Sequence, residues 1–335
     1  MCRGRASKLI LRMRTAATSA GGRSSLRAAA KRSSASASSS TGCAGGRVRT
    51  ACKGMRPALC RCRRARSGRG SGVRSGSVDA GEPVCELPAR LAERLRAVRS
   101  VGAITGAGVS AESGIRTYRG QGGIYDDPED GERTVEALSG PTLLGDPDRT
   151  WRAVAALSGM AVHARPNPAH RALVEMERRA ARFVLLTQNV DGLHQMAGSC
   201  NVIDIHGDVA VTECRGCGAR GRIEREERAH LRAAPLCAAC GSVLRPGVVL
   251  FGEMLPEDKV ARLRAAFYED PPDLVLVAGT TALFPYIAGP VQEARRRGRL
   301  TVEVNPEETV LCGTVDFSLR GPAGVWLPAI AKALP

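Results

Sequence analysis

From about Leu87 onward the chain alternates short, nearly continuous apolar runs with longer stretches whose apolar residues recur three and four positions apart. The runs Val101–Thr105, Phe183–Thr187, Asn201–Ile205, Asp273–Ala278 and Leu300–Val304 predict buried strands. The stretches Pro88–Arg99, Arg149–Val162, Pro168–Ala181, Glu257–Glu269 and Tyr286–Arg297 predict helices. Strands that alternate with helices in this way predict an α/β fold built on a parallel sheet. Each predicted strand leaves on polar or glycine-rich residues: Gly106-Ala107-Gly108, Gln188-Asn189, His206-Gly207, Gly279-Thr280-Thr281 and Asn305. Ligands of open α/β sheets bind beyond the carboxyl ends of the strands, so these exits converge on one crevice, and its natural occupant is a nucleotide.

The first exit reads Thr105-Gly106-Ala107-Gly108-Val109-Ser110-Ala111-Glu112-Ser113-Gly114. Glycines allow tight turns and close approach of backbone N–H groups to a pyrophosphate. The third glycine comes after five intervening residues, however, where the dehydrogenase fingerprint has two. Taken alone, the motif reads equally well as a plain turn between strand and helix.

Charge changes the picture only at the front of the chain. The formal net charge is +16, but residues 1–80 hold 19 Lys and Arg against the single acid Asp79, which leaves the remainder at −2. This segment is rich in Ser, Ala, Gly and Arg, has no aromatic residue, and is expected to be a disordered basic tail. It reads as a mitochondrial or plastid targeting peptide, or as a stretch upstream of the true start of a GC-rich gene, since only 5 of the 49 basic residues are Lys. Nucleic acid is expected as a partner only non-specifically, through this tail, because no aromatic interleaves its charges. No run of 18 apolar residues occurs and no secretory signal is evident, so the expectation is a soluble, cytoplasmic protein without a membrane partner.

Of the 12 cysteines, four have paired spacing: Cys214-x₂-Cys217 and Cys237-x₂-Cys240, with 19 residues between the pairs. That spacing suits a four-thiolate tetrahedral zinc. Four protein ligands leave no open position for water, so one structural ion is expected, holding a small module inserted at about 208–246. A zinc ribbon for nucleic acid is disfavoured because Glu224, Glu226 and Glu227 offset Arg222, Arg225 and Arg228 between the pairs.

Thr105-Gly-Ala-Gly-Val-Ser-Ala-Glu-Ser-Gly-Ile115 with Tyr118-Arg119-Gly120, then Thr187-Gln-Asn-Val-Asp-Gly-Leu-His194, His206-Gly207, the paired cysteines and Leu244-Arg-Pro-Gly-Val-Val-Leu-Phe-Gly-Glu253 resemble the successive motifs of the sirtuins, in order, over roughly 87–330. The resemblance implies a catalytic region at 81–335, a Rossmann-like domain with a small zinc domain, and acyl-lysine proteins as substrates. It implies NAD as cofactor and an NAD-dependent protein-lysine deacetylase that yields nicotinamide and O-acetyl-ADP-ribose. In that chemistry the acyl oxygen attacks the nicotinamide ribose to give an alkylimidate, and His206, as catalytic base, takes a proton from a ribose hydroxyl; an imidazole suits the task because it titrates near working pH.

By the same matching, Asn189, Val190 and Asp191 meet the nicotinamide ribose and carboxamide with Ser110 and Ile115, and Gln188 meets ribose. Gly106, Ala107 and Gly108 line the pyrophosphate with Tyr118 and Arg119 nearby. Gly279, Thr280 and Thr281 bind phosphate and ribose, and Asn305 the adenosine ribose. A substrate peptide is expected to add as a strand along Val248–Glu253, using Val249, Gly252 and Glu253, with Phe251 at the mouth of the lysine tunnel. Tyr118 stands where most of the family has Phe, and Gly279-Thr280-Thr281 where most has Gly-Thr-Ser. The succinyl- and malonyl-removing branch uses a Tyr and an Arg three residues apart to pair with the acyl carboxylate. Here those positions fall on Val154 and Leu157, so neutral acyl groups are expected. A mono-ADP-ribosyltransferase and an NAD-dependent dehydrogenase with a structural zinc stand as alternatives.

Overall fold

The computed structural model describes residues 59–61, 86–118, 123–124 and 127–335. The expected basic tail, 1–80, therefore lies outside the described residues, apart from the short strand β1 (Leu59–Arg61). The main sheet is parallel and runs β1-β10-β9-β8-β2-β3-β4. Its strands are β2 (Ser100–Thr105), β3 (Arg182–Thr187), β4 (Val202–Asp204), β8 (Leu274–Ala278), β9 (Leu300–Val304) and β10 (Phe317–Arg320). A second, antiparallel sheet is formed by β5 (Gly207–Cys214), β6 (Arg220–Arg222) and β7 (Leu244–Val248), in the order β6-β5-β7. This is the predicted α/β fold with a small inserted module.

The strand order explains where a site can form. The chain runs from β2 outward to β3 and β4, then returns to the other side of β2 to lay down β8, β9 and β10, so the order reverses between β2 and β8. The register places Thr105 opposite both Thr187 and Ala278, and the exits of β2, β3 and β8 therefore begin level with one another. A crevice opens where two neighbouring parallel strands send their connections to opposite sides.

Burial on both faces accounts for the continuous apolar runs. Along β8, Leu274, Leu276 and Ala278 face one core while Val275 and Val277 face the other, as alternation along a strand requires. The first core is closed by α1 (Ala89–Leu95), α5 (Pro168–Arg179) and α10 (Ala323–Ala333), through Leu91, Leu173, Trp326 and Ile330. The second is closed by α8 (Glu257–Arg264), the π-type turn Ala265–Glu269 and α9 (Pro285–Arg296). Gly102 in β2 makes room for that turn, since a Cβ there would lie 2.6 Å from the Phe267 ring. Helix α1 ends earlier than the predicted Arg99, because the Arg99 and Ser100 N–H groups turn to donate to the Asp273 carboxylate at 3.1 and 3.0 Å.

A third apolar cluster joins the small sheet to Leu138, which follows α2 (Pro128–Ala137), to α3 (Gly140–Gly145) and to α4 (Pro147–Met160). Trp151 of α4 is fully buried there, and its indole N–H donates to the Leu244 carbonyl of β7 at 2.8 Å. No described helix is long and apolar enough to cross a membrane.

Two buried histidines give the fold a pH dependence. His170 of α5 and His194 of α6 (Leu193–Ala197) have ring centroids 4.8 Å apart, and His194 Nε2 meets the Thr105 hydroxyl at 2.9 Å. Burial lowers His170 from 6.5 to about 4 and His194 to about 3. The unfolded chain thus takes up these protons first as pH falls through 6.5, and the folded chain takes them up only near 4 and 3. The contribution of these two rings to stability is constant above 6.5 and falls below it, by roughly 1.4 kcal/mol per pH unit for each ring. Urea unfolding at pH 7 and pH 4.5 should show a smaller acid loss for His170→Asn than for the wild type, and equal losses would refute the assignment.

Candidate active site

His206 follows β4 and precedes β5, at the joint between the two sheets. Its position is set by backbone bonds: the Ile205 N–H donates to the Thr187 carbonyl at 3.0 Å, and the His206 carbonyl accepts from the Val249 N–H at 2.9 Å. Gly207 has φ of +92°, and a Cβ there would collide with the Gly247 carbonyl, so the turn after His206 requires glycine. The imidazole Nδ1 lies 3.0 Å from the Gln188 carbonyl and Nε2 lies 2.8 Å from the Tyr286 hydroxyl. A carbonyl only accepts, so Nδ1 carries the proton and Nε2 offers the lone pair. Burial, chiefly, holds the ring below its usual value, against the raising effect of the Gln188 carbonyl; the Lys259 charge adds to the lowering. The ring is therefore neutral near pH 7, as a proton acceptor must be.

The glycine-rich exits of β2 and β8 pack directly against each other. The Gly106 N–H donates to the Ala278 carbonyl at 3.2 Å and the Gly108 N–H to the Gly279 carbonyl at 2.9 Å. A Cβ on Gly108 would lie 2.7 Å from Gly279 Cα, and Gly279 itself has φ of +60°. The glycines are thus needed for loop against loop, a constraint separate from the close approach of a pyrophosphate read from the sequence.

The polar side chains expected around a nucleotide form two connected groups. Asn189 Nδ2 donates to the Gly106 carbonyl and to Ser110 Oγ, both at 3.1 Å, while Ser110 Oγ donates to Asp191 at 2.7 Å. Gln188 Nε2 donates to Thr280 Oγ1 at 2.8 Å, and Asn305 Nδ2 to the Thr280 carbonyl at 3.0 Å. Residues from the exits of β2, β3, β8 and β9 are thereby brought together beside His206. Ile115 joins through its N–H to the Ser110 carbonyl at 3.3 Å, and Val190 accepts from the Val209 N–H of β5 at 3.0 Å. Thr281 and Tyr118 are exposed, and Arg119 lies outside the described residues. A nucleotide fits this cleft chemically: amide, hydroxyl and carboxylate groups line it on glycine-rich backbone at the strand ends.

The four cysteine Sγ atoms lie within 4.8 Å of one another, with Cys214 to Cys240 at 3.4 Å and Cys217 to Cys237 at 3.7 Å. Tetrahedral zinc with Zn–S bonds of about 2.3 Å requires sulfur separations of about 3.8 Å, so the cluster fits that ion. The Gly216 and Cys217 N–H groups point at Cys214 Sγ, at 3.3 and 3.4 Å, as suits a thiolate.

The expected peptide edge, Val248–Glu253, is held by Arg245, whose guanidinium pairs with Glu253 at 3.1 and 2.8 Å; Glu253 also accepts from the Leu250 N–H at 2.9 Å. On one side of the segment the Phe251 N–H donates to the Leu138 carbonyl at 2.9 Å and its carbonyl accepts from the Gly140 N–H at 3.2 Å. These bonds occupy the edge toward which Phe251 turns its main-chain groups; successive residues of a strand turn theirs to opposite edges, so Val248, Leu250 and Gly252 face the other one.

Sequence reading missed Tyr286, counted only as the start of a helix, along with Lys259, Arg245 and Arg225. Arg225 reaches from the small module to the Asp191 carbonyl at 2.8 Å. Tyr286, Lys259 and Arg225 act on partners distant in the chain, which no local signal marks, whereas Arg245 pairs with Glu253 inside one motif.

Comparison with known proteins agrees with this geometry. The Sir2 family model matches residues 106–284. NAD-dependent protein deacylase 2 of Pseudomonas aeruginosa is 44% identical over 73% of this chain and 96% of its own length. NAD-dependent protein deacylase 1 of Archaeoglobus fulgidus is 41% identical over 66% of this chain and 87% of its own. A solved structure of a Sir2 homologue mutant in complex with ADP-ribose superposes with a TM-score of 0.67 at 38% identity, covering 74% of this chain and 96% of that one. With its parallel sheet, its cysteine cluster and these relatives, the chain belongs to the Sir2 family of NAD-dependent protein deacylases.

Proposed function

We propose that the protein removes acetyl and other neutral acyl groups from protein lysines, releasing nicotinamide and forming O-acetyl-ADP-ribose, with His206 as the base. NAD supplies the ribose carbon from which nicotinamide leaves. Asn189, Ser110 and Asp191 orient the nicotinamide end, Gln188 and Thr280 the ribose and phosphate, and Asn305 the adenosine ribose. His206 Nε2 would accept a proton from one ribose hydroxyl as that hydroxyl takes the proton of its neighbour, whose oxygen would bond to the acyl carbon while the bond from that carbon to the lysine nitrogen breaks and the amine leaves. The observation that carries this reading is the 3.0 Å contact of His206 Nδ1 with the Gln188 carbonyl, which can only accept and so leaves Nε2 as the acceptor. Cys214, Cys217, Cys237 and Cys240 hold one structural zinc.

The preference for neutral acyl groups rests on α4. Val154 is buried and Leu157 partly buried, in the same apolar cluster as Phe251. Arg149, an alternative partner for an acyl carboxylate, is paired with Glu136 at 2.7 Å, and Arg152 is exposed. A succinyl carboxylate placed among these side chains would be desolvated without a partner. Nicotinamide release should therefore be faster with an acetyl-lysine peptide than with its succinyl counterpart by at least about tenfold, the equivalent of 1.4 kcal/mol. A succinyl rate equal to or above the acetyl rate would refute the preference. ADP-ribose left on the peptide, or NADH formed, would instead support a transferase or a dehydrogenase.

A further inference from the structure

His206 has one lone pair to give. Its Nδ1–H is spent on the Gln188 carbonyl, so only Nε2 can accept, and Tyr286 Oη lies 2.8 Å from it. The tyrosine is held for this contact. It is the second residue of α9, directly after the β8 exit; its ring stacks on Phe284 at 5.3 Å and 18°, and stands edge-on to the imidazole at 6.0 Å and 81°. Gln188 closes the circuit: its carbonyl fixes the far side of the imidazole and its side chain donates to Thr280 in the loop that leads to Tyr286. The base is thus gripped from both ring nitrogens by the exits of β3 and β8. Burial raises the Tyr286 phenol above its usual value, so it remains a protonated donor throughout the working range.

The proposed reaction needs the same lone pair, since a ribose hydroxyl must donate to Nε2 before its proton can move there. We propose that Tyr286 is a positioning residue whose hydroxyl competes with the ribose hydroxyl of NAD for the Nε2 lone pair of His206, aiming the ring and setting how readily the base engages the nucleotide. This rests on His206 being the base. A tyrosine that merely filled space would need no hydroxyl there, whereas this one directs its only polar atom at the only acceptor of the catalytic ring.

Tyr286→Phe in the full chain keeps the ring and its stack on Phe284 and removes the competitor. The other charged groups acting on His206 are untouched: Lys259 on α8, which lowers it, is itself paired with Asp204 at 2.9 Å. The neutral imidazole loses a donor in the variant, so its titration, followed by the ring nitrogen shifts in NMR, should move up by about half a unit to one unit. Nucleotide no longer has to displace a hydrogen bond, so KM for NAD should fall about twofold to tenfold at saturating acetyl-lysine peptide, while kcat, which depends on the aim of the ring, should not rise. An unchanged His206 titration, or an unchanged or higher KM for NAD, overturns the inference. His206→Ala separates the two levels: if that variant still deacetylates, the base assignment fails whatever Tyr286→Phe does. If it is inactive while Tyr286→Phe titrates like the wild type, only the role of Tyr286 fails.

Discussion

His206→Ala should lower deacetylation by about 10²–10⁴-fold, the usual worth of a positioned general base, while leaving nucleotide binding and the thermal transition close to those of the wild type. The side chain is hydrogen-bonded only through its ring, to Gln188 and Tyr286, whereas the backbone bonds that hold the joint between the sheets run through the His206 carbonyl and Ile205 and survive the substitution. The pH profile gives a second check. Burial places the imidazole below its usual 6.5, so the acid limb of kcat/KM should fall below pH 6.5, where protonation removes the lone pair on Nε2. His206→Ala should lack that limb. A variant that retained more than a tenth of the wild-type rate would place the base elsewhere.

Removal of the metal should have the second large effect, on structure as much as on rate. The two cysteine loops of the small sheet are joined by the β5–β7 ladder, by the Arg215 N–H donating to the Val243 carbonyl at 3.2 Å, and by the cysteine cluster, which alone ties all four thiols to one point. Structural zinc contributes folding free energy on the order of 10 kcal/mol in isolated zinc-finger peptides. Here the module also supports the site: Val209 donates to the Val190 carbonyl, Arg225 to the Asp191 carbonyl, and Val249 to the His206 carbonyl. Cys237→Ser should therefore lose stoichiometric zinc, lower the thermal midpoint and cut deacetylation by more than tenfold, with the parallel sheet still visible by circular dichroism. Purified protein without bound metal, together with a Cys237→Ser variant of unchanged melting and activity, would refute the assignment.

Much of this was legible in the residues because the signals were local. Val101–Thr105, Phe183–Thr187 and Leu300–Val304 read as strands since burial on both faces leaves nothing to alternate, and each appears within a residue of its predicted bounds. The cysteine pairs were legible because a tetrahedral site constrains spacing. What escaped was short or masked by a competing cue. Strand β10 has four residues and ends on Arg320, whose charge argues against a buried strand until Glu303 is seen beside it. Helix α10 carries its stripe at Ala323, Trp326, Leu327, Ile330 and Ala331, but Pro328 interrupts it.

The same division holds at the site. The glycine-rich strand exits and the paired cysteines predicted, without coordinates, a nucleotide cleft and a four-cysteine module, because both are requirements of local geometry; His206 was singled out by the resemblance of the motifs. Only the tertiary structure decided the state of that histidine. Its tautomer depends on a carbonyl 18 residues away and the engagement of its lone pair on a hydroxyl 80 residues away, and Phe251 is held by Leu138–Gly140, more than 100 residues before it. Hydrogen bonds of that reach are fixed by how strands are ordered in a sheet, and strand order is a property of the packed whole that no window of sequence contains.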